Sequence, residues 1–143
     1  MSEAGQARPV VGFCYGHQLL AHLDGAEVVY LWSQEGQREK ASGLRRVTLH
    51  DETLGLSGPF DLIVSHREGF SEPPAGWRSI AHETHINGAR AVEAMRHERS
   101  PWWGFQAHPE AVEAFLHNND VPCALPQPYD GHRVVRAFLS LLF

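Results

Sequence analysis

Cys14 lies in the stretch Gly12-Phe13-Cys14-Tyr15-Gly16-His17-Gln18, after a short apolar run and before a leucine-rich segment. Two readings of that cysteine are open. It could be a nucleophile on a sharp turn between a strand and a helix. There, side chains at Gly12 and Gly16 would collide with neighbouring backbone, so both glycines make room. A helix starting at the turn would aim its free N–H groups and partial positive charge at the sulfur, favouring the thiolate. The same N–H groups could stabilise an oxyanion. The other reading is a small buried hydrophobe, since free cysteine is among the most buried residue types. The heptapeptide alone does not separate them.

A thiolate nucleophile needs a base, usually histidine, oriented by a third polar group. Gly104-Phe105-Gln106-Ala107-His108-Pro109-Glu110 offers both. His108 ends a predicted strand, and Pro109 cannot continue the ladder as a donor. Glu110 can turn back to one imidazole nitrogen, hold the tautomer and stabilise the imidazolium. The other histidines of the ten are scattered and read as surface. His82 and His85 lack the spacing of a zinc-binding helix, so no metal site is expected. Cys123 sits in a proline-rich loop and reads as structural.

These residues need elements to carry them. Residues 9–13 read as a short buried strand opened by Pro9, and 15–24 as a helix ended by Gly25. Strands follow over 26–32, 42–50 and 60–66, with a polar turn at 33–40 and a loop or one short turn at 51–59. Residues 67–76 form a loop fixed by Pro73-Pro74. Residues 77–83 and 89–98 read as strands around the turn 84–88, although 89–98 also suits a helix by propensity. Residues 102–109 make the strand that delivers His108; of Trp102 and Trp103, one faces the core and the other a surface. A short helix at 111–120, a proline-broken loop and an amphipathic helix over 131–143 complete the chain. The pattern is α/β with a mixed sheet in a single domain over 1–143.

The chain of 143 residues is long enough for one core without staples. A net charge of -5 gives no electrostatic footprint for nucleic acid. Two cysteines make no disulfide framework, which favours a reducing cytoplasm. The N-terminus has no signal-peptide pattern, and no apolar run approaches the ~18 residues of a membrane span. A cytoplasmic protein that meets neither membrane nor nucleic acid is therefore expected.

Taken together, residues 9–28 and 102–111 closely resemble the two signatures of class I (triad-type) glutamine amidotransferase domains. These are a Gly-x-Cys-x-Gly-x-Gln elbow and a late Gly-x-Gln-x-His-Pro-Glu strand end. Gly16-His17-Gln18-Leu19-Leu20-Ala21 looks like the elbow helix of the GMP-synthetase and carbamoyl-phosphate-synthetase glutaminase domains, and residues 64–70 resemble the family's Ser-His segment beside the bound glutamine. The resemblance implies that Cys14 attacks the glutamine side-chain amide, that His108 moves protons and that Glu110 orients it. It implies the Tyr15 backbone N–H as an oxyanion donor, and Gly16, Gln18, Ser65 and His66 as substrate contacts. It implies a flavodoxin-like, mostly parallel or mixed sheet flanked by helices, no cofactor, and a synthase subunit or a homo-oligomer partner. The sequence departs upstream, where only eight residues precede the first strand in place of the family's usual N-terminal β/α units. Three explanations of that departure stand: an upstream part left unread, a missing half supplied by a second chain or a dimer partner, and a remnant that keeps its triad but has lost efficient catalysis. Beside the glutaminase, a γ-glutamyl hydrolase or peptidase and a weak or inactive binding or regulatory module stay open as functions.

Overall fold

The computed structural model describes residues 7–30, 33–34, 37–38, 40–86 and 89–143. In chain order it contains β1 (Val10–Phe13), α1 (Tyr15–Leu23), β2 (Val29–Tyr30), β3 (Ser33–Gln34), β4 (Gln37–Arg38), β5 (Ala41–Asp51), β6 (Leu56–His66), β7 (Glu68–Gly69) and β8 (Trp77–Ser79). There follow β9 (Thr84–Ile86), β10 (Ala89–Ala91), β11 (Ala94–His97), β12 (Trp102–Phe105), α2 (Glu113–Asn118) and α3 (Gly131–Leu139). The main sheet runs β1-β12-β11-β8. Its β1/β12 pair is parallel and its other two pairs are antiparallel, so the sheet is mixed. Among the described residues, β1 pairs on one side only.

The second large unit is the β5/β6 hairpin, in antiparallel register from Ala41↔His66 to Asp51↔Leu56. The expected loop at 51–59 is shorter than the composition suggests. Asp51 Oδ2 accepts from Leu54 N at 3.0 Å and Gly55 takes φ +66, which closes the turn within a few residues. β6 can therefore begin at Leu56, and both Leu54 and Leu56 are buried. The polar stretch 33–40 holds a small antiparallel pair, β3/β4, rather than a bare turn. The strand expected over 26–32 is cut to β2, which pairs with β7; residues 31–32 lie outside the described ones. Residues 89–98 are extended and not helical, split into β10 and β11 by Val92 and Glu93, whose side chains are both buried.

Alternation along the strands sorts side chains to the two faces of the sheet. Ala94, Trp103 and Phe105 pack with Val47, Leu49, Phe60, Leu62 and Ile63 of the hairpin and with Val134 of α3. Met95 and the partly buried Trp102 face the other way, with Ala21 of α1, Phe70 and Trp77. The sheet is thus layered between hairpin and α3 on one face and α1 on the other. Among the described residues, no helix is long and apolar enough to cross a membrane.

Candidate active site

Cys14 joins β1 to α1 with φ 50 and ψ -102. A non-glycine residue held there costs about 1–3 kcal/mol and needs over-determining surroundings. They are present: Cys14 N donates to Phe105 O at 2.8 Å, and Cys14 O accepts from Gln18 N at 3.1 Å. Gly12 is the space-making glycine. A Cβ there would stand 2.6 Å from Gly16 C, 2.7 Å from Gly16 O and 2.9 Å from His17 N. A Cβ at Gly16 would meet nothing within 4 Å, so the crowding expected of both glycines belongs to Gly12 alone. Gly104, beside Gly12 in register, is also required, because a Cβ there would run into the His17 imidazole.

The sulfur has three polar neighbours. Its distance to Ser65 O is 3.7 Å, a contact a thiol can donate to. Gln106 Nε2 stands 3.8 Å away and can donate to a thiolate. The third neighbour is the His108 imidazole, near enough to Cys14 and Glu110 for both to favour its charged form. His108 Nδ1 lies 3.0 Å from Glu110 Oε2, and the ring rests against Phe115 at a centroid distance of 4.4 Å. Burial works against charge on His108, but the nearby Cys14 sulfur and the Glu110 carboxylate outweigh it and push its pKa up to about 9.

The strand that delivers this histidine stops at Phe105, three residues short of it. Gln106 N still donates to Glu93 O across the sheet, whereas His108 N donates to Ile63 O at 2.7 Å. The chain therefore crosses from β11 to β6, and this crossing aims His108 at the end of β1.

A concavity of about 390 Å³ opens beside the sulfur, lined among others by Cys14, Tyr15, Gln18, Ser65 and His66. Its size suits a small ligand. The Tyr15 side chain stands exposed at its mouth. As the first residue of α1, Tyr15 has a backbone N–H without an intrahelical acceptor. Gln18 is buried, with Nε2 donating to Glu68 O at 2.9 Å and lying 3.5 Å from Gln106 Oε1. Ser65 presents its carbonyl to the sulfur. His66 is buried with Nδ1 3.1 Å from Glu68 O; burial, then the nearby Arg45 charge and His108, lower its pKa to about 4. Gly16 sits one helical step behind the sulfur and does not line the concavity.

Beneath the site runs a polar seam to which the sequence motifs assign no role. Gln106 is 1% exposed and touches both Cys14 and Gln18. Glu93, also buried, accepts from Arg45 Nη1 at 2.7 Å and from Thr84 Oγ1 at 3.0 Å. A single polar residue inside an apolar strand pattern was the available signal in each case. Among the described residues, no group of three or more His, Cys, Asp or Glu is placed to hold a metal ion.

The sequence model of the family described as "Glutamine amidotransferase class-I" matches residues 1–116. The chain is 33% identical over 108 residues to a GMP synthase [glutamine-hydrolyzing] subunit of Archaeoglobus fulgidus, covering 74% of this chain and 54% of that protein. It is 38% identical over 106 residues to GMP synthase [glutamine-hydrolyzing] of Thermus thermophilus, covering 73% of this chain and 19% of that longer protein. The chain thus spans about half the length of the separate GMP synthase subunits it matches. A crystal structure of a putative GMP synthase subunit from Thermoplasma acidophilum shares the fold, with TM-score 0.67 and 21% identity over 96% of this chain and 58% of that one. A glutamine amidotransferase from Thermotoga maritima does so with TM-score 0.62 and 15% identity over 94% and 62% of the two chains. By the match of most of its length to the family's sequence model, this chain belongs to the class I glutamine amidotransferases.

Proposed function

We propose that the protein is a glutaminase that releases ammonia from the glutamine side chain for a synthase partner. The observation that carries this reading is the grouping of Cys14, His108 and Glu110, with the sulfur on a strained elbow, the imidazole beside it and a carboxylate 3.0 Å from that imidazole. The Cys14 thiolate attacks the amide carbon, and the Tyr15 N–H receives the developing oxyanion. The His108 imidazolium gives its proton to the amide nitrogen, which leaves as ammonia, and a γ-glutamyl thioester remains. Neutral His108 then takes a proton from water. The resulting hydroxide attacks the thioester, the thiolate departs, and glutamate is released with His108 protonated again. Glu110 holds the imidazole through both steps. Gln18 helps hold the substrate, and Ser65 and His66, which line the concavity with it, contact its amino-acid end. The curated relatives named as GMP synthase suggest a nucleotide-aminating synthase as the ammonia acceptor.

The test is ammonia release from glutamine by purified protein, alone and with a candidate synthase partner. Cys14→Ala should abolish release. With His108 titrating at about 9, turnover should fall as pH rises through that value and the imidazolium loses its proton. Release that persists in Cys14→Ala, or no release under either condition, rejects the reading. Release from γ-glutamyl peptides but not from glutamine would instead identify a γ-glutamyl hydrolase.

A further inference from the structure

His108 sits on no strand, so something must hold the backbone from which its imidazole reaches Cys14. The tie to β6 has two halves. One is the direct bond from His108 N to Ile63 O, at 2.7 Å. The other runs through a side chain from the far end of the molecule. Ile63 N donates to the Tyr129 hydroxyl oxygen at 2.7 Å, and that hydroxyl donates to His108 O at 2.8 Å. The hydroxyl thus stands as a bridge where a ladder bond would otherwise close, with its donor and an acceptor position both used. Tyr129 is 2% exposed, and burial raises its pKa and keeps the hydroxyl protonated.

Its neighbours fix the other side of the same segment. His132 Nε2 donates to Ala111 O at 2.8 Å, one residue past Glu110. The His132 ring packs edge-on against Tyr129 at 5.1 Å. Gly131 lets the start of α3 approach, since a Cβ there would stand 2.5 Å from the Tyr129 ring and 2.7 Å from Pro109 Cα. Asp130 Oδ2 accepts from Asp61 N at 2.8 Å, anchoring this corner to β6. Residues 129–132 lie beyond the 1–116 matched by the family's sequence model.

We propose that Tyr129, backed by His132, is a positioning residue for His108: its hydroxyl sets the segment His108–Pro109–Glu110 at the height where the imidazole meets Cys14. This rests on the reading of Cys14, His108 and Glu110 as a triad. A Phe at 129 keeps the ring and removes the bridge.

The experiment compares wild type, Tyr129→Phe, His132→Ala, His108→Ala and, as a stability control, Val134→Ala, which thins the buried face of α3 and leaves the hydrogen-bonding groups of the bridge in place. Each is assayed for glutamine hydrolysis, thermal unfolding and the pH profile of iodoacetamide alkylation at Cys14. Tyr129→Phe should lower kcat about 10- to 100-fold, as for a small misplacement of a catalytic group, with KM changed less than about twofold. Its alkylation profile should move toward that of His108→Ala, while Val134→Ala loses stability and keeps the wild-type profile. His132→Ala should show the same shift in smaller measure, and it carries the test if Tyr129→Phe does not fold. A wild-type profile and kcat in the folded position-129 and position-132 variants would overturn the proposal. An equal shift in Val134→Ala would do the same. If His108→Ala itself leaves the Cys14 profile unchanged, the triad reading falls and the proposal with it.

Discussion

Gln106 shows how much of a thiolate site can rest on a residue that solvent never reaches. Its Nε2 points at Sγ from 3.8 Å, and its Oε1 lies 3.5 Å from Gln18 Nε2, which also donates to Glu68 O at 2.9 Å. The carboxamide orientation is therefore set by its neighbours, and the end it presents to sulfur is the donor. A thiolate is held by such a donor, and a carboxylate in the same place would repel it. Gln106→Glu should slow alkylation of Cys14 at neutral pH by about tenfold or more, the cost of a like charge in contact with the nucleophile. Gln106→Leu, which removes the donor without adding charge, should slow it less. Equal rates in wild type and Gln106→Glu, measured with both proteins folded, would show that the amide does not act on the sulfur.

The packing of α1 on β1 decides where the nucleophile stands, and the two elbow glycines act on it in opposite ways. A methyl at Gly12 would press on the backbone of Gly16 and His17, with no flexible side chain to yield. Gly12→Ala should therefore cost about 1–3 kcal/mol, as overpacking does. It should also displace the elbow, so that Cys14 alkylation slows together with the drop in unfolding midpoint. Gly16 faces open space inside a helix, where alanine is favoured by up to about 1 kcal/mol. Gly16→Ala should raise the unfolding midpoint; a fall would mean that the helix is crowded there after all. This difference marks the limit of what sequence could show. β1, α1 and α3 follow from apolar spacing and a terminal glycine, whereas residue type and a strand end leave Cys14 and His108 open, and their grouping with Glu110 comes from the two motifs together and the family they resemble. The early start of β6 depends on one aspartate closing the turn on a backbone N–H, which no periodicity encodes. Which elbow glycine is crowded depends on the angle between strand and helix. The Tyr129 bridge joins residues 66 and 21 positions apart, and it exists only once the hairpin and α3 are packed.

At the scale of the whole molecule, the layers enclose titratable groups whose pKa values are driven apart, and stability must follow pH on both sides. His17 is fully buried, and its pKa falls to about 4, chiefly by desolvation; His66 falls to about 4 for the same leading reason. In the unfolded chain both titrate near 6.5. Between 6.5 and 4 the unfolded state therefore binds protons that the folded state refuses, so stability drops as pH falls through this window and levels off below it. Both histidines act in the same direction, each by up to about 1.36 kcal/mol per pH unit within that window. His108 has the opposite sign. Its folded pKa of about 9 means that the folded state keeps a proton the unfolded chain releases above 6.5. That contribution is fully present below 6.5 and is lost as pH rises through about 9. The two windows meet near 6.5, where the urea midpoint should peak. The limbs are separable by mutation. Cys14→Ala removes the sulfur that helps hold the His108 proton, so it should flatten the alkaline limb and leave the acid limb unchanged. His17→Gln keeps a donor for Val92 O, which lies 3.1 Å from the imidazole Nε2, and removes its titration; it should make the acid limb shallower, leaving the share of His66, and spare the alkaline limb. A midpoint that is constant from pH 5 to 6.5, or an alkaline limb that Cys14→Ala leaves intact, would contradict this account of how the buried seam and the triad divide the pH response.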